Sequence, residues 1–208
     1  MDAKATKLLT YGLFVLTARQ DEFDSGCIIN TAMQVTTDPN RISITVNKSN
    51  HTHDMIMETK EFNVSIICQD AKFDLFKRFG FQSGRDAEKF DFDMEGYRRA
   101  ENEIYYITKG INGFISGKVV KEIDLGTHTM FIADVTEEGV IKTEPPAVSY
   151  EYYQANIKPA RKPKAEDTGK PIWVCKVCGY EYEGEEIPED FICPTCKHPA
   201  SDFEKVGE

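Results

Sequence analysis

LLTYGLFVLTARQDEFD, residues 8–24, decides how the front of this chain is read. An apolar run this close to the N-terminus resembles a signal-peptide core, which would be cleaved away and would place the protein outside the cell. Three features oppose that. Asp2 stands where basic residues are expected, Tyr11 and Gly12 interrupt the run, and RQDEFD follows where small residues are needed for cleavage. The run is also well short of the ~20 apolar residues that span a bilayer. It reads instead as a buried strand, and the protein as cytoplasmic with no membrane association.

Composition agrees. Of 208 residues, 40% are hydrophobic and 29% charged, a soluble globular balance with room for one full domain and an appendage. A net charge of −10 argues against non-specific binding to nucleic acid or to an acidic membrane surface. Four of the six cysteines cluster at Cys175, Cys178, Cys193 and Cys196, while Cys27 and Cys68 stand apart. In a reducing compartment that pattern means metal ligands plus two buried free thiols, not a disulfide framework.

The clearest boundary lies between Asn156 and Trp173, where Pro159, Pro163 and Pro171 accompany Lys158, Arg161, Lys162 and Lys164. Proline at this density favours an extended spacer. The expected organisation is a front domain over 1–155, a linker over 156–170 and a small domain over 171–208. The last carries three lysines against nine acids.

Working outward from YGLFVLTA, the front domain shows further β-branched runs at GCIINTAMQV (26–35), RISITVN (41–47), FNVSIIC (62–68), GFISGKVVKEI (113–123) and HTMFIADVTE (128–137). Two helices are expected, one following Thr52 with His53 exposed in its first turn, the other capped by Asp70. Many short strands with few helices favour a closed barrel and a mainly β fold class. No G-x-G-x-x-G follows a strand and there is no P-loop, so any nucleotide is held by other means.

Cys-x-x-Cys twice, with 14 residues between the pairs, supplies four soft ligands from two turns. Tetrahedral thiolate ligation suits zinc or a single iron, and the spacing alone leaves both open. Trp173, Tyr180, Phe191 and Phe203, with Gly179 and Pro194 in the knuckles, make residues 171–206 resemble a rubredoxin, which implies iron. The short gap between knuckles is similar to that of rubrerythrin-like proteins, and Lys197 departs from the usual glycine. His198 reads as a surface residue.

In the front domain, Asn30, Thr31 and Gln34 break an apolar run, VNKSNHTHD (46–54) leads from strand to helix with Lys48 and His51 at the helix start, and FGFQSGRDAEKF (79–90) is a charged loop. A helix start flanked by cations suits a phosphate. With DLGTHTMFIADV (124–135), these stretches make residues 5–160 resemble the flavin reductase family, which implies a split β-barrel, usually a homodimer, binding FMN without a Rossmann turn. By position the resemblance implies Asn30, Thr31 and Ala32 along the ring edge, Asn47, Lys48, His51 and Thr52 at the phosphate, and Arg85, Lys89 and His128 toward ring or ribityl chain. Taken alone, His128 reads first as a hydrogen-bonded histidine on a strand face, a preference that the resemblance reverses.

A chain joining these halves is similar to the high-molecular-weight rubredoxins. The resemblance implies hydride transfer from NADH or NADPH to FMN, single electrons through Fe(Cys)4, and a flavodiiron partner reducing nitric oxide or dioxygen. Two alternatives stay open: a flavin or ferric reductase carrying a structural zinc ribbon, and a passive FMN/iron carrier reduced by another flavoprotein.

Overall fold

The computed structural model describes residues 5–90, 95–159, 171–176, 180–194 and 198–206. Contacts divide the chain into two compact units, Met1–Lys158 and Pro159–Glu208. Most of the expected linker lies outside the described residues, and Asn156 belongs to a π-helical turn, Tyr153–Ile157, at the end of the first unit.

In the first unit, β1 (Phe14–Gln20), β2 (Phe23–Ile29), β3 (Met33–Thr37) and β4 (Asn40–Asn47) precede α1 (His51–Thr59). Then come β5 (Glu61–Ile67), α2 (Phe73–Gly80), the hairpin β6 (Tyr97–Arg99) and β7 (Tyr105–Ile107), and the long pair β8 (Ile111–Asp124) and β9 (His128–Val140). Seven strands form one antiparallel sheet in the order β2-β1-β5-β8-β9-β4-β3.

That order forces closure. β2 and β3 are the two ends of the sheet, yet only residues 30–32 join them. Four Cα steps reach about 14 Å at full extension, whereas six inter-strand spacings of a flat sheet need about 29 Å. The sheet must therefore curl until its ends meet. Thr31 seals the joint: its Oγ1 donates to the Thr45 carbonyl at 2.7 Å and accepts from the Thr45 N–H at 3.2 Å. The run 26–35, expected as one strand, is thus two strands meeting at a corner, because Asn30 and Thr31 carry the polar groups that turn the chain.

Side chains sort by parity into two layers. Leu16 and Ala18 point into the barrel with Cys27, Ile44, Phe62, Val64 and Phe131, and α1 plugs this core with Met55 and Ile56. Leu13 and Val15 point outward onto α2, against Phe76, Phe79 and Ile107. β1 is buried on both faces, which is why its sequence is a continuous apolar run without alternation. The β6–β7 hairpin, which no sequence pattern announced, is held by polar contacts to the sheet: Thr17 Oγ1 donates to the Tyr105 carbonyl at 2.5 Å, Asn63 Nδ2 to the Ile104 carbonyl at 2.9 Å, and the Ile107 N–H to Ser65 Oγ at 3.0 Å.

Two helix expectations are corrected. Asp70 does not cap α2; Lys72 occupies the cap position without a side-chain bond, and Asp70 is drawn away by Lys142 at 2.6 Å and the Cys68 thiol at 2.7 Å. Nor is His53 exposed, since α1 starts two residues earlier than expected and turns His53 inward to 7% exposure. Cys27 and Cys68 are buried free thiols, as expected.

The second unit is a three-stranded sheet in the order β11-β10-β12, from β10 (Ile172–Cys175), β11 (Glu181–Glu183) and β12 (Phe203–Val206). Phe191 is central to its aromatic core, 4.7 Å from the Tyr182 ring and edge-on to Phe203 at 5.4 Å. Trp173 Nε1 donates to the Gly184 carbonyl at 3.1 Å.

Candidate functional site

Chemistry-bearing residues gather where β4 runs into α1. Asn47 ends β4, and its Oδ1 accepts from the Ser49 N–H at 2.9 Å and the Ser49 hydroxyl at 3.0 Å, shaping the turn. Asn50 sits at the cap position in extended backbone but makes no side-chain cap bond. The α1 start therefore presents N–H groups that no capping side chain covers, together with the positive end of the helix. Ser25 and Gly84 meet His51 at the same place: a Cβ on Gly84 would stand 2.1 Å from Ser25 Oγ and 3.6 Å from His51 Cδ2. Ser25 is fully buried, and its hydroxyl has no hydrogen-bond partner.

The cations around this turn are held by partners. Lys48 Nζ lies 2.7 Å from Asp124 Oδ1, and this contact, with the Gly126 N–H, keeps the Asp124 carboxyl below its usual range. Arg85 donates to the Ser49 carbonyl at 2.9 Å and to Asp54 Oδ2 at 2.5 Å. Asp54 Oδ1 lies 3.0 Å from His53 Nδ1, and His53 Nε2 lies 2.9 Å from Thr129 Oγ1. With the carboxylate accepting at Nδ1, Nε2 is the acceptor for the Thr129 hydroxyl.

The remaining candidates divide. Asn30, Thr31 and Ala32 stand at the barrel joint, tied to Thr45, two residues before Asn47. His128 pairs with Asn47 across β4 and β9, with the Thr127 hydroxyl 2.9 Å from its Nδ1. Thr52 is buried and contacts the Cys27 thiol, so its hydroxyl is turned toward the core. Burial pushes that thiol up to about 11. Lys89 stands apart from this cluster: it is 1% exposed, and its Nζ donates to the Arg78 and Gln82 carbonyls at 2.5 Å each, neutralising the C-terminal end of α2. Burial brings its ammonium down to about 8. An uncapped helix start, an orphaned buried hydroxyl and nearby cations fit a phosphate-bearing cofactor such as FMN.

In the second unit, Cys175 and Cys193 are 1% and 0% exposed. Both begin a turn closed in the same way: the Cys175 N–H donates to the Tyr180 carbonyl and the Cys193 N–H to the His198 carbonyl, each at 2.8 Å and five residues on. This matched pair of backbone bonds, each made by the first cysteine of a Cys-x-x-Cys, fits a four-thiolate metal centre. Cys178, Cys196 and Lys197 lie outside the described residues. His198 is half-buried, its Nδ1 2.7 Å from Asp202 Oδ2.

Residues 6–161 match the flavin reductase like domain. The chain belongs to the flavin reductase-like family. Residues 173–204 match the rubrerythrin, rubredoxin-like domain, so this is a flavin reductase-like oxidoreductase fused to a rubredoxin-like unit. Over its whole length it is similar to the high molecular weight rubredoxin of Moorella thermoacetica, 30% identical over 99% of this chain and 100% of the relative. It is 34% identical to the ferric-chelate reductase (NAD(P)H) of Archaeoglobus fulgidus, over 68% of this chain and 83% of that protein. The styrene monooxygenase flavin reductase of Pseudomonas putida S12 shares the fold, with TM-score 0.59 and 20% identity over 70% of this chain and 89% of that one.

Ser25, Asp54 and Thr129, which the sequence did not mark, and His53, which it marked as exposed, also stand around the α1 start. Ser25 sits in the unremarkable stretch FDSGC. His53 and Asp54 were visible beside His51, but their direction depended on where α1 starts. Among the described residues, no helix is long and apolar enough to cross a membrane.

Proposed function

We propose that this chain is a cytoplasmic NAD(P)H-dependent oxidoreductase whose first unit holds FMN and whose second holds one iron by Cys175, Cys178, Cys193 and Cys196, passing electrons to a flavodiiron protein that reduces nitric oxide or dioxygen. The observation that carries it is the pairing, in one chain, of a flavin reductase-like barrel having an uncapped helix start with two matched thiolate knuckles. When bound, FMN supplies acceptance of a hydride from a nicotinamide and release of single electrons, and iron supplies a one-electron step.

This chain's residues bind and orient. The α1 start, with Asn47, Lys48 and His51, holds the phosphate, and the Ser25 hydroxyl completes the cradle. Asn30, Thr31 and Ala32 border the ring, with His128 alongside. Thr52 supports from beneath through Cys27. That thiol stays protonated at neutral pH and does not act as a nucleophile. In the second unit Cys175 and Cys193 are buried from water. Its nine acids against three lysines favour a basic docking surface on the partner.

A homodimer accompanies this reading. β3 is exposed throughout at the sheet end, with Met33 64% and Val35 41% exposed. The adjoining groove over Ala32, Phe14, Ile115 and Val135 is apolar, which suits a second copy.

An anaerobic visible spectrum before and after NADH tests the function. Thiolate-to-iron absorption overlying flavin bands, both bleached by NADH, is the expected result. Flavin bands with stoichiometric zinc, or bleaching only with an added flavoprotein reductase, would sink it.

A further inference from the structure

A cavity of about 830 Å³ opens beside α2 and not at the α1 start; of the family-implied flavin residues only Lys89 borders it. Its volume lies within the roughly 300–1,000 Å³ of small-molecule sites. The floor is apolar and firm. Phe79 and Ile107 are each 4% exposed there, and Ala71 is 6% exposed. Tyr97, which also lines the cavity and packs on the same apolar cluster, is braced edge-on against Phe90 at 5.1 Å and Tyr105 at 4.7 Å. Gly110, at φ +73°, brings its turn so close to Ala71 that a Cβ would lie 3.1 Å from the Ala71 backbone.

The rim has the opposite character from the chain as a whole. Among the described residues that line it, five are cations and three, Asp70, Asp74 and Glu95, are carboxylates, in a protein of net charge −10. Asp70 is engaged by Lys142 at 2.6 Å, and Glu95 lies 3.8 Å from Lys109. Lys72 and Lys77 have no carboxylate within ion-pair distance among the described residues. The carbonyls at the end of α2 would make this wall negative, but Lys89 occupies the Arg78 and Gln82 carbonyls. A flat apolar floor beneath a positive rim selects an aromatic ring that carries an acidic group.

We propose that this cavity binds a planar aromatic anion of the nucleotide class, with its ring on the apolar floor beside Tyr97 and its phosphate at Lys72 and Lys77. The site does not require FMN elsewhere in the molecule. Its ligand is either the adenosine-phosphate end of the dinucleotide donor, which would extend the proposed function, or a separate free nucleotide.

Calorimetric titration of the full-length, FMN-loaded protein with AMP tests this. Saturable binding is expected, weakened at least about tenfold in Lys72→Glu and in Lys77→Glu, with FMN content unchanged in both. Adenosine is expected to bind more weakly and to be indifferent to either variant. Absence of saturable AMP binding, affinity unchanged in both variants, or inorganic phosphate binding as tightly as AMP would overturn the site, and none of these results touches the flavin reading. Where AMP binds, inhibition of NADH oxidation competitive with NADH identifies the donor's own end, and non-competitive behaviour identifies a free nucleotide.

Discussion

His53 Nε2 and Thr129 Oγ1 lie 2.9 Å apart, joining the first turn of α1 to the first residues of β9. The contact is buried, with His53 7% and Thr129 5% exposed. It continues outward through Asp54 to Arg85, and Arg85 returns to the Ser49 carbonyl. Three chain segments that border the proposed phosphate site are thereby locked by one hydrogen-bonded series. His51 and Thr52 precede this histidine, and His128 precedes this threonine, so the series fixes the backbone that carries them.

His53→Ala is expected to destabilise the protein by about 2–4 kcal/mol, from the space left in the core and the hydroxyl left unsatisfied. FMN affinity should fall with it, because the α1 start loses its anchor. Thr129→Val keeps the volume and removes only the hydrogen bond, so it should cost about 1–2 kcal/mol. Denaturant midpoints and flavin-fluorescence titration check both. Wild-type stability and affinity in His53→Ala would show the series to be incidental.

The phosphate assignment separates FMN from riboflavin. Lys48→Ala removes a charge near the α1 start, and a charged contact of this kind contributes on the order of 1–2 kcal/mol. FMN affinity should drop about tenfold while riboflavin affinity is unchanged. Asp124→Asn, which releases Lys48 from its 2.7 Å ion pair, should tighten FMN and leave riboflavin unaffected. Equal effects on the two ligands would place the phosphate elsewhere.

Much of this was legible in the sequence because local signals agreed with the final packing. The continuous apolar run of β1 reported burial on both faces, and the Cys-x-x-Cys pairs marked where the two matched backbone bonds of the second unit begin. What stayed illegible depended on closure. Residues 30–32 read as the interior of a strand because the polarity of Asn30 and Thr31 does not show that opposite ends of a sheet meet there. His53 read as exposed because moving the start of α1 by two residues rotates that side chain by about 200° around the helix. Asp70 looked like a cap because its competing partners, Lys142 and Cys68, include one that is distant in sequence. The β6–β7 strands are three residues each and are held by polar contacts from Thr17, Asn63 and Ser65, so they carry too little periodicity to detect.

Cys27 should give the protein a distinct alkaline limb. Burial raises the thiol from 9.0 to about 11, so the folded state keeps its proton after the unfolded chain has lost it. The unfolded state then binds fewer protons, and stability falls with rising pH. The contribution is full below about pH 9 and is lost progressively toward pH 11. At about 1.4 kcal/mol per unit the loss is on the order of 2–3 kcal/mol. Cys27→Ala should flatten that limb when denaturant midpoints are compared at pH 8 and pH 10.5, and wild-type Cys27 should resist alkylation at pH 8 until the protein is unfolded.

The two knuckles predict a result confined to one half of the chain. Cys175 and Cys193 start turns closed by the same 2.8 Å backbone bond, so neither turn is positioned as the stronger holder of a metal. Cys175→Ser and Cys193→Ser should therefore behave alike, each replacing a soft thiolate with a poor ligand for iron and lowering iron content in parallel. Because the chain divides at Lys158 into separately compact units, FMN content and NADH oxidation with an artificial acceptor should persist in both variants while transfer to a protein acceptor is lost. Metal analysis, flavin release and the two turnover assays on the same preparations read this directly. Partner reduction surviving without iron would make the first unit the outlet, and loss of FMN along with the iron would show the halves to be coupled in folding.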